Sequence, residues 1–344
     1  MIQQPPSTIT VKAADYLVKI AETVTRLEYG TGFQHDIKLH RKNRVRSIYS
    51  SLAIEGNTLS LDEVADVIDG KLVAGKQAEV KEVKNAYEAY DKIMTFDPYT
   101  IKDFLEAHKL MADGLVKESG TFRSGDVGVF DGDVVVHVGA RPQFVPQLIE
   151  ELFLWAKVTE LHPVLKSAIV HCEIETIHPF ADGNGRMGRL WQMLLHAKWN
   201  AIFAWIPMES LVYEKRPQYY EALQNAQKNN DSSEFIEVTL FAILEAVEAQ
   251  ARHQEKHKDE HKDEHIVEQL PDTMLAVLKA LKSKNLSRNE IFAVIGLNNN
   301  YRAFKRNVEP LLTDGYIEMT VPDKPSSKLQ KYRLTDKGKA VIGN

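Results

Sequence analysis

His178-Pro179-Phe180-Ala181-Asp182-Gly183-Asn184-Gly185-Arg186-Met187-Gly188-Arg189 joins two stretches of helical periodicity, 164–177 and 186–199. The loop is therefore expected to end at a helix N-terminus, where unpaired backbone N–H groups and the helix dipole favour an anion. Gly183 and Gly185 allow a phosphate to approach the backbone closely. Asp182 offers a hard oxygen of the kind that holds Mg²⁺ against phosphates. Arg186 and Arg189, three residues apart in the first helical turn, add planar donors for phosphate oxygens. His178, at the start of the loop, takes up a proton near neutral pH. These parts together point to phosphoryl or nucleotidyl transfer. Asp-Gly-Asn-Gly alone would read as an ordinary turn. A calcium loop is excluded, because the fifth, sixth and twelfth positions counted from Asp182 are Arg186, Met187 and Met193.

Outward from this loop, residues 11 to about 115 carry apolar positions at intervals of three and four, as in Tyr16, Ile20 and Val24, and predict helices punctuated by Gly30, Gly32, Gly56 and Gly70. Val127, Val129 and the run Val134 to Val138 flank Asp131-Gly132, the pattern of a β-hairpin. Helical periodicity returns from Val145 to about Ala251, broken at 178–185 and near Pro207. The run HQEKHKDEHKDEH within 252–269 reads as a polar linker. It spaces His253, His257, His261 and His265 four apart, which leaves a solvated charged helix and a metal chelate both open. Beyond it, residues 272–283 predict a short amphipathic helix. Ser287-Arg288-Asn289-Glu290 is a capping box for a second helix, which Gly296 ends. Residues 301–313 predict a third, with Arg302, Lys305 and Arg306 on its polar side, and 316–320 and 330–334 predict two strands. Three helices and a two-stranded wing describe a winged helix-turn-helix. The fold class is thus expected to be mainly α with a small hairpin, divided into an N-terminal helical region at 1–100, a core at 101–250, a linker at 251–270 and a winged helix at 271–344.

The length of 344 residues accommodates about two domains. Forty-three Lys and Arg against 48 Asp and Glu give a net charge of −5, and 44% hydrophobic with 26% charged residues is the balance of a globular chain. A single cysteine, Cys172, excludes an internal disulfide and a cysteine zinc cluster, so a reducing, cytoplasmic setting is expected. The opening MIQQPPSTIT has neither a basic nor an apolar targeting region, and no run of about 18 apolar residues occurs. Secretion and a membrane partner are not expected. The mild total hides an asymmetry: 271–344 holds 13 basic and 7 acidic residues, or +6, which leaves −11 on 1–270.

The stretch from His178 to Arg189 resembles the signature of the Fic (Fido) domain proteins, His-x-Phe-x-Asp/Glu-Gly-Asn-Gly-Arg-x-x-Arg, at every specified position. The likeness extends through His108-Lys109-Leu110-Met111, Gly120-Thr121-Phe122-Arg123 and Arg141-Pro142 to Tyr219-Tyr220, over roughly residues 10 to 245. Most characterised members of that family move AMP from ATP onto a Ser, Thr or Tyr hydroxyl of a target protein. The resemblance implies that His178 deprotonates the hydroxyl and that Asp182 holds Mg²⁺. It also implies that Gly183, Asn184 and Gly185 cradle the phosphates and that Arg186 and Arg189 bind the polyphosphate. Gly185 stands where a phosphorylating branch of the family has lysine, so adenylylation is expected. Tyr219, Tyr220 and Gln227 match adenine-side positions, although a Tyr pair on a helix reads equally well as core. The hairpin, with Val136 and His137 beside the nucleotide, corresponds to the family's flap, which takes target main chain by β-augmentation. Ser51-Leu52-Ala53-Ile54-Glu55-Gly56-Asn57 matches the family's inhibitory motif, so Glu55, read as the last helical residue before a capping Gly56, is expected to pair with Arg189, with Ser51 beside it. Some members use this glutamate in removing AMP.

A reading from another class is a DNA-binding regulator in which the Fic module is a sensor, carried by the basic C-terminal region and its third helix. Winged helices also dock proteins, and nothing in the sequence decides for or against a homo-oligomer.

Overall fold

The computed structural model describes residues 4–29, 37–131, 134–260, 271–324, 327 and 329–342. Two compact units divide the chain, Met1–His253 and Gln254–Asn344. In the first, five helices come before the hairpin: α1 (Val11–Tyr29), α2 (Ile37–Ile54), α3 (Leu61–Ile68), α4 (Gln77–Asp91) and α5 (Ile101–Ala112). The capping box of Ser60 and Glu63 starts α3, and Thr100 caps α5. The hairpin pairs β1 (Gly128–Asp131) with β2 (Val134–Val138) antiparallel and carries a bulge between Val129 and Phe130. Six further helices follow: α6 (Val145–Val158), α7 (Pro163–Ile177), α8 (Asn184–Trp199), α9 (Met208–Glu214), α10 (Arg216–Asn229) and α11 (Ser233–Glu260).

The centre of this unit is α7 against α8. Twelve residues of α7 and thirteen of α8 are buried, the pattern of helices enclosed on every side rather than amphipathic at a surface. Around them Phe104, Phe153, Phe180 and Trp191 are all buried, and the Phe104 ring lies 4.9 to 5.2 Å from the other three. Phe180 belongs to the motif loop, so the loop is anchored in the core by a side chain whose burial contributes about 1.5–3 kcal/mol. Cys172 is buried in α7 and burial pushes its thiol pKa well up, which suits packing and not reactivity.

In the second unit α12 (Asp272–Leu281) and α13 (Arg288–Val294) come first. The Ser287–Glu290 capping box is formed, and Gly296 ends the segment at φ +67°. The single third helix expected over 301–313 is instead two, α14 (Tyr301–Asn307) and α15 (Glu309–Thr313), divided at Val308 because Pro310 has no N–H to continue the ladder. β3 (Ile317–Met319) pairs antiparallel with β4 (Tyr332–Leu334), and a helix the sequence reading did not include, α16 (Asp336–Ile342), follows. Among the described residues no helix is long and apolar enough to cross a membrane. Within the polar run, α11 reaches Glu260 and residues 261–270, with His261 and His265, lie outside the described residues. Of its histidines only His253 has a described side chain, and it is exposed.

Candidate active site

His178 closes α7 in the left-handed region at φ 55°. Its Nδ1 faces the Glu175 carbonyl at 3.4 Å. A carbonyl only accepts, so Nδ1 carries the hydrogen and Nε2 keeps the lone pair. Burial lowers the His178 pKa, which keeps the imidazole neutral and basic. Five residues on, Gly183 at φ +86° turns the chain into α8. The first backward bond of α8 runs from Met187 N–H to the Gly183 carbonyl at 2.9 Å, which leaves the N–H groups of Asn184, Gly185 and Arg186 without an intrahelical acceptor. They form an anion cradle at the positive end of a buried helix. The Asp182 side chain is 61% exposed beside it.

Asn184 contributes to that cradle only through its backbone. Its side chain is buried and spent on Phe180, accepting from the Phe180 N–H and donating to its carbonyl, both at 2.8 Å. Arg186 likewise turns away. It is buried, donates to Asp182 Oδ2 at 3.2 Å, faces Glu82 at 3.7 Å, and does not line the cavity in front of the loop. Two residues quoted for the family likeness without a role turn out to hold the loop in place. His108 accepts the Gly120 N–H on Nδ1 at 3.0 Å, donates Nε2–H to the Asp182 carbonyl at 3.1 Å and stacks on Phe180 at 3.7 Å. Burial drops its pKa to about 4. Arg123 is buried and donates to the carbonyls of His178 at 2.6 Å, Gly125 at 2.7 Å and Ile177 at 3.4 Å, and to that of Ala140 at the root of the hairpin. The linear sequence gives Arg123 no distinguishing mark, since every acceptor it reaches is main chain.

In front of the loop is a cavity of about 190 Å³ whose wall includes Glu55, His178, Asp182, Gly183, Gly185 and Arg189. Arg189 is buried and donates to Glu55 Oε1 at 2.6 Å, to Ser51 Oγ at 3.1 Å and to the Ser51 carbonyl at 3.0 Å. The expected pair therefore forms, although α2 ends at Ile54 and Glu55 lies one residue beyond it, before Gly56 at φ +92°. A Cβ on Gly185 would meet Glu55 Oε1 at 2.3 Å. The carboxylate thus sits directly against the glycine of the cradle, where an anion would lie. Tyr219, Tyr220 and Gln227 line the same cavity. The Tyr219 hydroxyl, however, is engaged with His171 Nε2 at 3.0 Å, and Gln227 donates to the Glu175 carbonyl at 3.4 Å. The sequence reading passed over Glu175, a buried wall residue whose Oε1 has no hydrogen-bond donor. Burial pushes its carboxyl pKa up, but His171, Arg189 and His178 outweigh this and hold it low. His137 does not line the cavity and bonds the Thr176 carbonyl of α7 at 2.8 Å, whereas the side chain of Val136 lies outside the described residues.

Residues 98–195 match the Fic/DOC family, and residues 272–335 match the C-terminal domain of the filamentation-induced-by-cAMP, Fic-like proteins. Over 192 residues the chain is 34% identical to a protein adenylyltransferase Fic of Nematostella vectensis, a match covering 52% of this chain and 42% of that protein. Over 211 residues it is 28% identical to the protein adenylyltransferase fic-1 of Caenorhabditis elegans, covering 56% of this chain and 39% of that one. The chain thus spans about two-fifths of the length of these curated relatives. A solved Fic family protein from Desulfovibrio desulfuricans G20 is 39% identical with a TM-score of 0.73, covering 98% of this chain and 100% of that one. A Fic domain containing signalling protein from Bacteroides thetaiotaomicron, 18% identical with a TM-score of 0.58 over 71% of this chain and 97% of its own, shares the fold.

Proposed function

Because the chain belongs to the Fic family, we propose that it is a protein adenylyltransferase, moving AMP from ATP to a Ser, Thr or Tyr hydroxyl of a target protein, and that Glu55 inhibits it. The observation that carries this reading is the Glu55 carboxylate held by Arg189 against Gly185, an anion of the chain itself standing at the N-terminus that the nucleotide's phosphates need. When Glu55 leaves, Arg189 and the free N–H groups of Asn184, Gly185 and Arg186 take the phosphates. His178 Nε2 accepts the hydroxyl proton, the oxygen bonds to the α-phosphorus, and the bond to the β-phosphate breaks with loss of pyrophosphate. Among the described residues no group of three or more His, Cys, Asp or Glu gathers as a metal cage. One exposed carboxylate beside a phosphate cradle nonetheless suits Mg²⁺ held jointly by protein and phosphates. Asp182 would hold the ion, and the ion would neutralise developing phosphate charge. Arg186 acts on the loop through Asp182, and Tyr219, Tyr220 and Gln227 form the adenine side. The two-stranded hairpin, which pairs with no further strand among the described residues, is suited to holding target main chain.

ATP labelled at the α-phosphate, incubated with the protein and cell lysate, tests this. Label is expected on protein, with none from γ-labelled ATP. His178→Ala is expected to lower transfer by about 10²–10⁴-fold, the contribution of a general base. Glu55→Gly is expected to raise transfer by about 10- to 100-fold, because a charge-assisted hydrogen bond contributes about 1.5–3 kcal/mol. Undiminished transfer by His178→Ala would sink the mechanism.

The four-part organisation, with a linker at 251–270, is kept as part of this proposal, as is a cytoplasmic setting. DNA binding is proposed as an additional activity of the C-terminal unit, supported by Arg302, Lys305 and Arg306, which are exposed on α14.

A further inference from the structure

A second cavity, of about 490 Å³, opens among the N-terminal helices and, among the described residues, shares no wall residue with the motif cavity. One side is the first half of α2, with Arg41 and Arg44; Tyr87, Met94 and Trp205 form much of the rest, and the carboxylates of Asp69 and Asp91 also stand on the wall. His40 lies flat on Trp205, 4.5 Å between ring centres and 6° between planes. Arg44 stands 5.0 Å from the same indole and 5.5 Å from the Tyr90 ring. Arg41 is paired with Asp69, but the buried Nη1 of Arg44 donates no hydrogen bond. Burial accordingly lowers the pKa of this guanidinium. A desolvated cationic N–H beside ring faces lacks an acceptor that ring electrons replace only in part. An incoming anion supplies that acceptor. Tyr87 and Met94, 39% and 42% exposed, are wall residues that reach solvent.

We propose that this cavity is a regulatory site for a small aromatic anion, an aryl or nucleoside phosphate whose phosphate meets Arg44 and whose ring lies on Tyr87 and Met94. Arg44 and Ser51 lie seven residues apart on one face of α2, and Glu55 follows one residue beyond the helix end. Tyr90, the second ring on Arg44, donates to Glu209 at 2.9 Å and adjoins Ser51, which Arg189 holds. An anion that draws Arg44 off Tyr90 loosens the seat of α2 over Arg189, so the bound ligand favours release of Glu55.

The test titrates 1-naphthyl phosphate calorimetrically into the full chain without added nucleotide, and variants on the wall of this cavity alone separate it from the motif cavity. Inorganic phosphate and 1-naphthol are titrated separately. Naphthyl phosphate is expected to bind about tenfold or more tighter than either part. Arg44→Gln and Tyr87→Ala are each expected to weaken it by about tenfold. Tyr87 reaches solvent, so its variant carries the test if Arg44→Gln does not fold. Binding no tighter than phosphate, or unchanged in the folded variants, overturns the site. The regulatory half rests on the adenylyl-transfer reading: the ligand is expected to raise transfer by the wild type about threefold or more and to leave Glu55→Gly unmoved. Binding without that difference overturns the coupling. The calorimetry does not depend on transfer, so failure of the site and failure of the transfer reading are told apart.

Discussion

At the scale of single residues, the site turns on how each side chain is engaged by its surroundings. His178 is suited to the base proposed for it because burial keeps the imidazole neutral and the Glu175 carbonyl holds the hydrogen on Nδ1, leaving the lone pair on Nε2. Its pKa lies below the ordinary imidazole value of 6.5, so protonation removes the base only at more acid pH. The acid limb of kcat/KM is therefore expected below about 6.5, measured in Glu55→Gly so that the Arg189 ion pair does not contribute. An acid limb above that value would mean that His178 is not the group titrating. His178, Asp182 and Arg189 were legible in residue type and short spacing, whereas Glu55, 134 residues from Arg189, was legible only through the likeness of Ser51 to Asn57 to the family's inhibitory motif. Asn184 was not legible in the same way. Between two glycines an Asn reads as a ligand-facing turn residue, and only the fold reveals that both edges of its amide are spent on Phe180.

At the scale of elements, the motif loop is a clamp with three fixings: Phe180 in the core, His108 under the Asp182 carbonyl, and Arg123 across the Ile177, His178 and Ala140 carbonyls. His108 and Arg123 reach the loop across 74 and 54 to 55 residues of sequence, which is why periodicity and spacing found the loop and both flanking helices but not what holds them. The division of α14 from α15 was missed by a reading that ran one helix across Pro310, and α16, a short segment that packs on α12 and β4, was not read at all. Arg123→Lys keeps the charge but has no fork to span several carbonyls, and an orphaned buried carbonyl costs about 1–3 kcal/mol. Transfer is expected to fall about tenfold or more, with thermal unfolding shifted down. ADP binding to the α8 cradle should change less than transfer does, because the hairpin end of the clamp is what loosens. A variant with wild-type transfer and melting would show that the fork has no positioning role. His108 gives the loop a pH dependence of its own. With a folded pKa of about 4 against 6.5 unfolded, its contribution to stability is complete above pH 6.5 and is lost as pH falls through 4.

At the scale of the whole molecule, the net charge of −5 is the sum of an acidic body and a basic C-terminal segment of +6. The basic residues there are not all equivalent. On α14, Ala303, Phe304 and Asn307 face the core of the second unit, which leaves Arg302, Lys305 and Arg306 exposed together, next to Tyr301 at 70% exposure. Three cations on one short helix with an aromatic beside them can neutralise about three phosphates, and each neutralised phosphate contributes about −0.9 to the slope of log K against log salt. A gel shift of the full chain on duplex DNA is therefore expected to show a slope near about −2.7, so affinity falls roughly 40-fold between about 50 and 200 mM salt. Changing Arg302, Lys305 and Arg306 to Gln is expected to flatten that slope toward zero and to leave AMP transfer from ATP unaltered, since these residues belong to a different compact unit from the motif loop. A shift that persists with the same slope in the triple variant would move the phosphate contacts elsewhere. Affinity insensitive to salt in the wild type would remove DNA as the partner of this face and leave a protein in its place.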